Sequence, residues 1–376
     1  MGQGARKVFL LNHGLANGGT DTFCMNILKH INRSKYDIRM VLAVDTDSRP
    51  QFHEDEVQQL GIPLYKTSDL DGIEKVLRHA FRLYQLLRKE KPDVFHANMD
   101  LFNGLNMFVA WLAGVPVRIC HSHNSQSQYE ANSGKHTLVS IYRSIMRKFL
   151  WHFSTVRCGC SEMAMDYLYE ERWKTDPSSY VIHNGIDLAA FLGKYDSATE
   201  KSIDVRDDIH YLITVGRLAQ QKNPLFLVNV MKDICIQRDD IELLWIGTGE
   251  MEEQVREKIA DCRLEKKIHL LGARKDVSQI MKCAEVFVLP SLFEGLPIVL
   301  IEAQGAGLPC VVSDRVTQEA DMGGCVFLGI EGDTAEWSAV ITNIIDGKVS
   351  KRIQPEKIQQ YDVRFMINQL ENVYAE

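Results

Sequence analysis

No stretch of this sequence approaches the ~20 consecutive apolar residues that a bilayer-spanning helix needs. A secretory leader is not expected either. Met1–Lys7 is short and polar, and Val8–Leu11 is too brief for an apolar signal core. The Met-Gly start lacks the Ser or Thr at the sixth position that myristoylation uses. Positive charge is not in excess. Lys and Arg number 43 against 50 Asp and Glu, and the net charge of −7 argues against a general nucleic-acid binder. The nine cysteines are odd in number and scattered, with no C-x-x-C spacing; Cys158-Gly-Cys160 is too close for a zinc or redox motif. They read as buried, reduced thiols of a cytoplasmic protein. No G-x-G-x-x-G follows the first strand, which removes the dinucleotide fingerprint and with it most of the case for a dehydrogenase. The single sequon, Asn32-Arg33-Ser34, reads as chance.

What is present is ordinary soluble composition, 45 % hydrophobic and 25 % charged, over 376 residues, enough for two domains. Val8–Asn12, Ile38–Val44, Val94–Ala97, Val115–His121, Thr155–Cys160 and Tyr180–Asn184 read as strands. Helical patterns alternate with them at Thr20–Ile31, Ile73–Lys89, Leu101–Ala113, Leu138–Phe153 and Glu162–Tyr169. Leu188–Asp208 is polar, lacks periodicity and reads as a linker. A second series then runs from Ile209–Val215 through Glu242–Ile246 and Ile268–Leu271. Helices Ala335–Ile345 and Pro355–Tyr374 close the chain. The β-α alternation predicts mostly parallel sheets covered by helices on both faces.

The second half is organised around Pro290–Asp314. A short apolar strand, AEVFVLP, leads into the loop Ser291–Gly295; Pro297 opens a helix, and Gly307-Leu308-Pro309 stops it. Glu294 therefore lies at a strand-to-helix turn and Glu302 about two turns further on. Ligands of open α/β sheets bind at the carboxyl ends of strands, and anions at the following helix N-termini. Two carboxylates in that frame suit the hydroxyls of a sugar and a ribose on either side of a diphosphate. Earlier, Val215-Gly216-Arg217 and Lys222-Asn223-Pro224 place two cations after a strand and before a helix, an arrangement that clamps phosphate. The pair Gly18-Gly19 follows the first strand and bares backbone to a ligand. His121-Ser122-His123-Asn124 ends another strand, where a histidine faces ligand. His96 is a weaker candidate of the same kind. Asp45-Thr46-Asp47 and Asp69-Leu70-Asp71 read as polar loops rather than metal sites, and no metal ligand is expected.

These motifs resemble the retaining, nucleotide-sugar-dependent glycosyltransferases of GT-B fold, the large bacterial group that builds capsules, exopolysaccharides and lipopolysaccharide. The similarity runs along nearly the whole chain. It rests on Glu294-x7-Glu302, on Gly216-Arg217 with Lys222-Asn223-Pro224, and on Gly18-Gly19. His123-Asn124 and Asn184-Gly185-Ile186-Asp187 add to it. The resemblance implies two Rossmann-like domains facing a central cleft. Residues 1–187 would form an acceptor-side domain, with the C-terminal helix 358–376 packing back on it. Residues 188–208 would link it to a nucleotide-sugar domain at 209–357. It implies that Glu294 faces the donor sugar and Glu302 the ribose, that Arg217 and Lys222 hold the diphosphate without metal, and that His123 lies near the reacting bond. Catalytic roles would fall to His123, Glu294, Arg217 and Lys222. Gly18, Gly19, Gly272, Arg274, Gly295 and Leu296 would complete the donor site. The Thr position of the family's histidine motif is His121 here, which leaves His121 and His123 as alternatives. Glu319 matches a recurring family acid, and Gly247-Thr248-Gly249 matches a turn that either touches ligand or is only a turn.

The expected function is sugar transfer from a UDP-sugar to a glycan or lipid-linked acceptor in surface polysaccharide assembly. No tightly bound cofactor is expected, only the nucleotide-sugar as donor substrate. The competing readings are a UDP-sugar 2-epimerase, which needs its own catalytic acids, a far longer pyridoxal-dependent phosphorylase, and an inactive nucleotide-sugar-binding module. The expected location is cytoplasmic. Leu138–Phe153, apolar and aromatic with Arg143, Arg147 and Lys148, reads either as a core helix with a basic outer face or as a peripheral contact on the inner face of the membrane.

Overall fold

A computed structural model describes residues 4–16, 18–48, 50–123, 137–294 and 296–376. The chain divides into two compact units, one of Met1–Gly185 with Val363–Glu376, the other of Ile186–Asp362. In the first, β1 (Arg6–Asn12), α1 (Gly19–His30), β2 (Tyr36–Leu42), α2 (Glu54–Gln59), β3 (Leu64–Lys66), α3 (Ile73–Glu90) and β4 (Val94–Ala97) alternate strand and helix. They continue as α4 (Asn103–Leu112), β5 (Val117–Ser122), α5 (Thr137–Phe153), β6 (Val156–Gly159), α6 (Glu162–Tyr169) and β7 (Ser179–Val181). The seven strands lie in the order β3-β2-β1-β4-β5-β6-β7, with parallel pairing throughout.

The second unit carries α7 (Leu188–Phe191), α8 (Ser197–Ile203), β8 (His210–Val215), α9 (Pro224–Gln237), β9 (Ile241–Ile246), α10 (Glu252–Asp261) and β10 (Ile268–Gly272). Then come α11 (Val277–Met281), β11 (Val286–Leu289), α12 (Ile298–Gly305), β12 (Cys310–Ser313), β13 (Cys325–Leu328), α13 (Thr334–Ile345) and α14 (Pro355–Gln359). Its six strands are parallel in the order β10-β9-β8-β11-β12-β13. Both sheets reverse direction once, between β1 and β4 and between β8 and β11. In doubly wound sheets that reversal opens a crevice at the carboxyl ends of the strands.

The last helix, α15 (Val363–Ala375), belongs to the first unit. Val363, Met366, Leu370 and Tyr374 join Phe23 and Ile27 of α1 over one face of the sheet. Leu83 and Leu87 of α3, Met107 of α4 and Leu150 of α5 cover the other face. Each such side chain, fully buried, contributes roughly 1.5–3 kcal/mol. Gly185 makes the return possible. A Cβ there would lie 2.7 Å from Val363 Cα and 2.9 Å from Met366 Cβ, so α15 rests directly on the glycine backbone. Asn26 Nδ2 donates to Gly185 O at 2.7 Å and fastens α1 to the same turn.

The single helix expected at Pro355–Tyr374 is two helices. Between them Tyr361 is fully buried, and its carbonyl accepts from Ile186 N at 2.7 Å instead of continuing the helix. The segment expected as a linker, 188–208, holds α7 and α8 and clusters with the second unit. Arg206 pairs there with Glu242 of β9 at 2.6 Å.

Candidate functional site

In the second unit, the β8 and β11 exits bring the two main sequence motifs together. Gly216 follows β8, and a Cβ on it would stand 2.9 Å from Lys222 Cε. The glycine leaves the Lys222 stem free to lie across the backbone. Asn223 adopts φ +52 and turns the chain into α9, with Pro224 in its first turn. From the β11 side, Leu292 N donates to Gln221 O at 2.8 Å, and Gln221 Nε2 donates to Phe293 O at 3.0 Å. The two loops are thereby sewn together. Lys222 Nζ reaches Glu294 Oε1 at 2.5 Å, and this ion pair is largely shielded, the Glu294 side chain being 8 % exposed. Arg217 points out to solvent and makes no ion pair among the described residues.

Glu302 lies on α12, which starts at Ile298 with Pro297 as its N-cap residue rather than its first helical residue. The carboxylate keeps some contact with solvent, yet burial pushes it up to about 7. It has no hydrogen-bond or ionic partner among the described residues. Leu296 is buried beside the start of α12, and Gly295 lies outside the described residues. Gly272 ends β10 at φ +67 and accepts from Gly247 N at 2.9 Å. Arg274 is already engaged. Its guanidinium donates to Asp276 at 2.8 and 2.6 Å and to Ser202 at 3.0 Å, and Asp276 raises its pKa. That leaves Nη1 and the planar face of the guanidinium for a ligand. The Gly247-Thr248-Gly249 turn has a packing reason: a Cβ on Gly247 would fall 2.0 Å from Gly216 O, and one on Gly249 would fall 2.4 Å from Leu218 O. It props the Arg217 loop from beneath. A hollow of about 500 Å3 opens beside the loops, lined by Gln220, Asn223, Glu250 and Leu292, and does not include Glu294 or Glu302.

In the first unit, the β1 and β4 exits and the end of β5 converge in the same way. Gly18 is the N-cap of α1, and its N–H donates to Asp21 Oδ2 at 3.0 Å. Asn12 Nδ2, at the end of β1, donates to Asp21 Oδ1 at 2.9 Å. Burial raises Asp21 to about 6, against the pull of the Gly18 amide, Asn12 and Ala16. Asp21 was not legible as a site residue, because only the folded loop brings it under Gly18.

The histidines form a row. His96 and His121 stack with centroids 5.3 Å apart, and His121 stacks on His123 at 4.4 Å. Phe23 meets the rings of His121 and His123 edge-on, at 4.8 Å each. At the inner end, Tyr374 Oη lies 2.7 Å from His96 Nδ1, and His96 Nε2 lies 3.1 Å from His121 Nδ1. Burial holds all three neutral, His96 and His123 down to about 3 and His121 well below its usual range. His123 takes the outer place, 9 % exposed against none for His121 and His96. Its tautomer follows from its neighbours. Asn98 Nδ2 donates to Leu11 O at 3.1 Å, which turns Asn98 Oδ1 toward His123 Nε2 at 2.9 Å. Nε2 therefore carries the proton, and Nδ1 is a buried lone pair with no hydrogen-bond partner among the described residues. Asn124 and the rest of 124–136 lie outside the described residues.

Asp45 and Asp69 lie side by side, both within reach of Lys75, at 3.8 and 3.4 Å. Cys158 and Cys160 are buried free thiols. Among the described residues no three metal-ligating side chains cluster.

Comparison with known proteins gives matches over both units. A family model described as glycosyl transferases group 1 matches residues 209–346, and one described as glycosyltransferase family 4 matches residues 17–190. The amylovoran biosynthesis glycosyltransferase AmsD of Erwinia amylovora is 32 % identical over 327 residues, covering 84 % of this chain and 83 % of its own. The UDP-Gal:alpha-D-GlcNAc-diphosphoundecaprenol alpha-1,3-galactosyltransferase of Escherichia coli is 29 % identical over 80 % of both chains. Among solved structures, HepE of Anabaena, in complex with UDP and glucose, superposes with a TM-score of 0.78 at 17 % identity. That match covers 98 % of this chain and 99 % of HepE, and it carries the fold alone.

Proposed function

The chain belongs to the group 1 glycosyltransferases, and from that premise we propose a retaining enzyme that uses a UDP-sugar. The acceptor is a glycan or lipid-linked sugar, and the product enters a bacterial surface polysaccharide. The relatives' names support the polysaccharide role and the lipid-diphosphate class of acceptor. The UDP-Gal in the Escherichia coli relative's name supports the donor.

The observation that carries the reading is the Lys222–Glu294 pair, with Arg217 on the same loop and Glu302 on α12 both unpaired among the described residues. A donor diphosphate replaces Glu294 as the partner of Lys222 and recruits Arg217. The released Glu294 takes hydroxyls of the sugar, and Glu302 takes those of the ribose. Leu296, the Gly272 backbone and the face of Arg274 border the base. Gly295 belongs to the same loop. Gly19 offers its backbone amide to the phosphates, next to Gly18, whose own amide is held by Asp21, and His123 Nδ1 accepts from a donor-sugar hydroxyl.

The bond that breaks joins the anomeric carbon to the β-phosphate oxygen. Negative charge grows on that oxygen, where Arg217 and Lys222 stabilise it more in the transition state than in the ground state. The acceptor oxygen attacks from the face the phosphate leaves, and its proton passes to the departing phosphate. His123, held neutral by burial, takes no part in that proton transfer, and its part is to position the sugar.

Calorimetry with UDP in the presence of a chelator tests the donor site. Lys222→Ala should weaken UDP binding about 10–100-fold, the worth of a charge-assisted phosphate contact; unchanged binding overturns the clamp. The anomeric configuration of the product, read by NMR, tests retention.

A further inference from the structure

We propose that Gln221 is a positioning residue of the transfer reaction, holding Glu294 toward the donor sugar once Lys222 has passed to the diphosphate. The inference rests on the donor-site reading above and adds to it what keeps Glu294 in place. Lys222 and Gln221 are consecutive, yet both side chains meet the same carboxylate. Lys222 Nζ lies 2.5 Å from Glu294 Oε1, and Gln221 Nε2 lies 3.4 Å from Glu294 Oε2. The first is a close ion pair, and the second is a long and weak contact. In this state Lys222 sets where the carboxylate lies.

The local backbone ties Gln221 to the Glu294 loop. Gln220–Lys222 form a short helical turn, in which Lys222 N donates to Ala219 O at 2.9 Å and Asn223 N to Gln220 O at 3.0 Å. Leu292 N crosses from the other loop and donates to Gln221 O at 2.8 Å. An amide nitrogen carries two protons. One goes to Phe293 O at 3.0 Å, which turns the Gln221 side-chain nitrogen toward the β11 loop. The other is directed at Glu294. Gln221 is thus fixed to Leu292 and Phe293, the two residues that precede Glu294. Lys222 Nζ has no such second anchor, since Glu294 is its one polar partner among the described residues.

Charge decides which of the two contacts lasts. A donor diphosphate carries more negative charge than one carboxylate and draws Lys222 away from it. The Glu294 side chain, 8 % exposed, then keeps little solvent to replace the lost cation. A shielded carboxylate without a donor is costly. The Gln221 N–H is neutral, so the diphosphate does not draw it off, and it remains beside Oε2. Shortening that contact to about 2.9 Å makes it a charge-assisted hydrogen bond. Oε1, vacated by Lys222, becomes the oxygen that takes the sugar hydroxyls.

The test separates the nucleotide from the sugar. Gln221→Met keeps the side-chain length and removes both N–H donors. UDP affinity, read by calorimetry, should stay within about twofold, because Lys222 and Arg217 remain. The kcat for UDP release, measured with whichever of UDP-galactose, UDP-glucose and UDP-N-acetylglucosamine the parent chain turns over, should fall about tenfold. Gln221→Glu, equal in length and unable to donate, should fall further, since a second carboxylate then stands beside Glu294. In a Glu294→Ala background Gln221→Met should add no further loss, because it acts through Glu294. Equal losses of UDP affinity and kcat overturn the proposal, leaving Gln221 only a seam between loops. So does an unchanged kcat, or an additive loss in the Glu294→Ala background. A parent chain that binds no UDP, or turns over none of the three sugars, overturns the donor reading and this proposal with it. A parent that does both, with Gln221 variants that match it, overturns this proposal alone.

Discussion

Glu302 is a carboxyl held against its preference. Its folded pKa of about 7 lies above the ordinary 4.5, so the native state keeps a proton that the unfolded chain has lost. Stability therefore falls as pH rises from 4.5 to 7 and stays lower above that window. Glu302→Gln should raise the thermal midpoint at pH 8, by a free energy of about 1–2 kcal/mol once solvent screening is allowed for. At pH 4 it should change little. The same variant should weaken nucleoside binding; a stabilised protein that binds UDP as well as the parent would remove Glu302 from the ribose. Tyr374 offers a second test at this scale. Tyr374→Phe keeps the packing but removes the hydroxyl from His96, and it should cost about 1 kcal/mol in urea denaturation. Residues that carry a local phrase, such as Lys222 and Glu294, were legible because motif and partner both sit at strand ends. Asn98 and Asp21 were not. Their meaning comes from hydrogen bonds to His123 and Gly18 that only the fold assembles.

Elements were legible in proportion to their length and periodicity. α1, α3, α5, α6 and α13 fall within a residue of the spans their apolar spacing implies. β3, Leu64–Lys66, escaped notice because three residues show no alternation, and its place is set by pairing with β2. The break between α14 and α15 was hidden because helical spacing continues across it; the backbone leaves the helix to reach Ile186. Glycine turns were visible, but their reason was not. The Gly185 position shows how tightly elements meet: Gly185→Ala should cost about 1–3 kcal/mol by overpacking against α15. A denaturation midpoint unchanged from the parent would mean that α15 moves aside freely. Gly247→Ala, with no room above Gly216 O, should displace the Arg217 loop and weaken UDP binding more than it weakens the fold.

At the scale of the whole molecule, the division into two parallel-sheet units followed from the β-α alternation, but the membership of the last helix rested on resemblance alone. Residues 363–376 are part of the first unit's core, far from it in sequence. Removal of those 14 residues should leave Phe23, Ile27 and His96 exposed and the first unit aggregation-prone, while residues 186–362 keep their sheet. Limited proteolysis of the truncated chain would show a protected second unit and a digested first. The closure by α15 also sets an order in time. A ribosome delivers β1 to β7 long before α15, so the half of the protein that is made first must wait for the half made last. Residues 186–362 can close their own core during that delay. Until α15 has been made, the nascent first unit carries a bare apolar face, and holding that face apart from other chains falls to the chaperones around the ribosome.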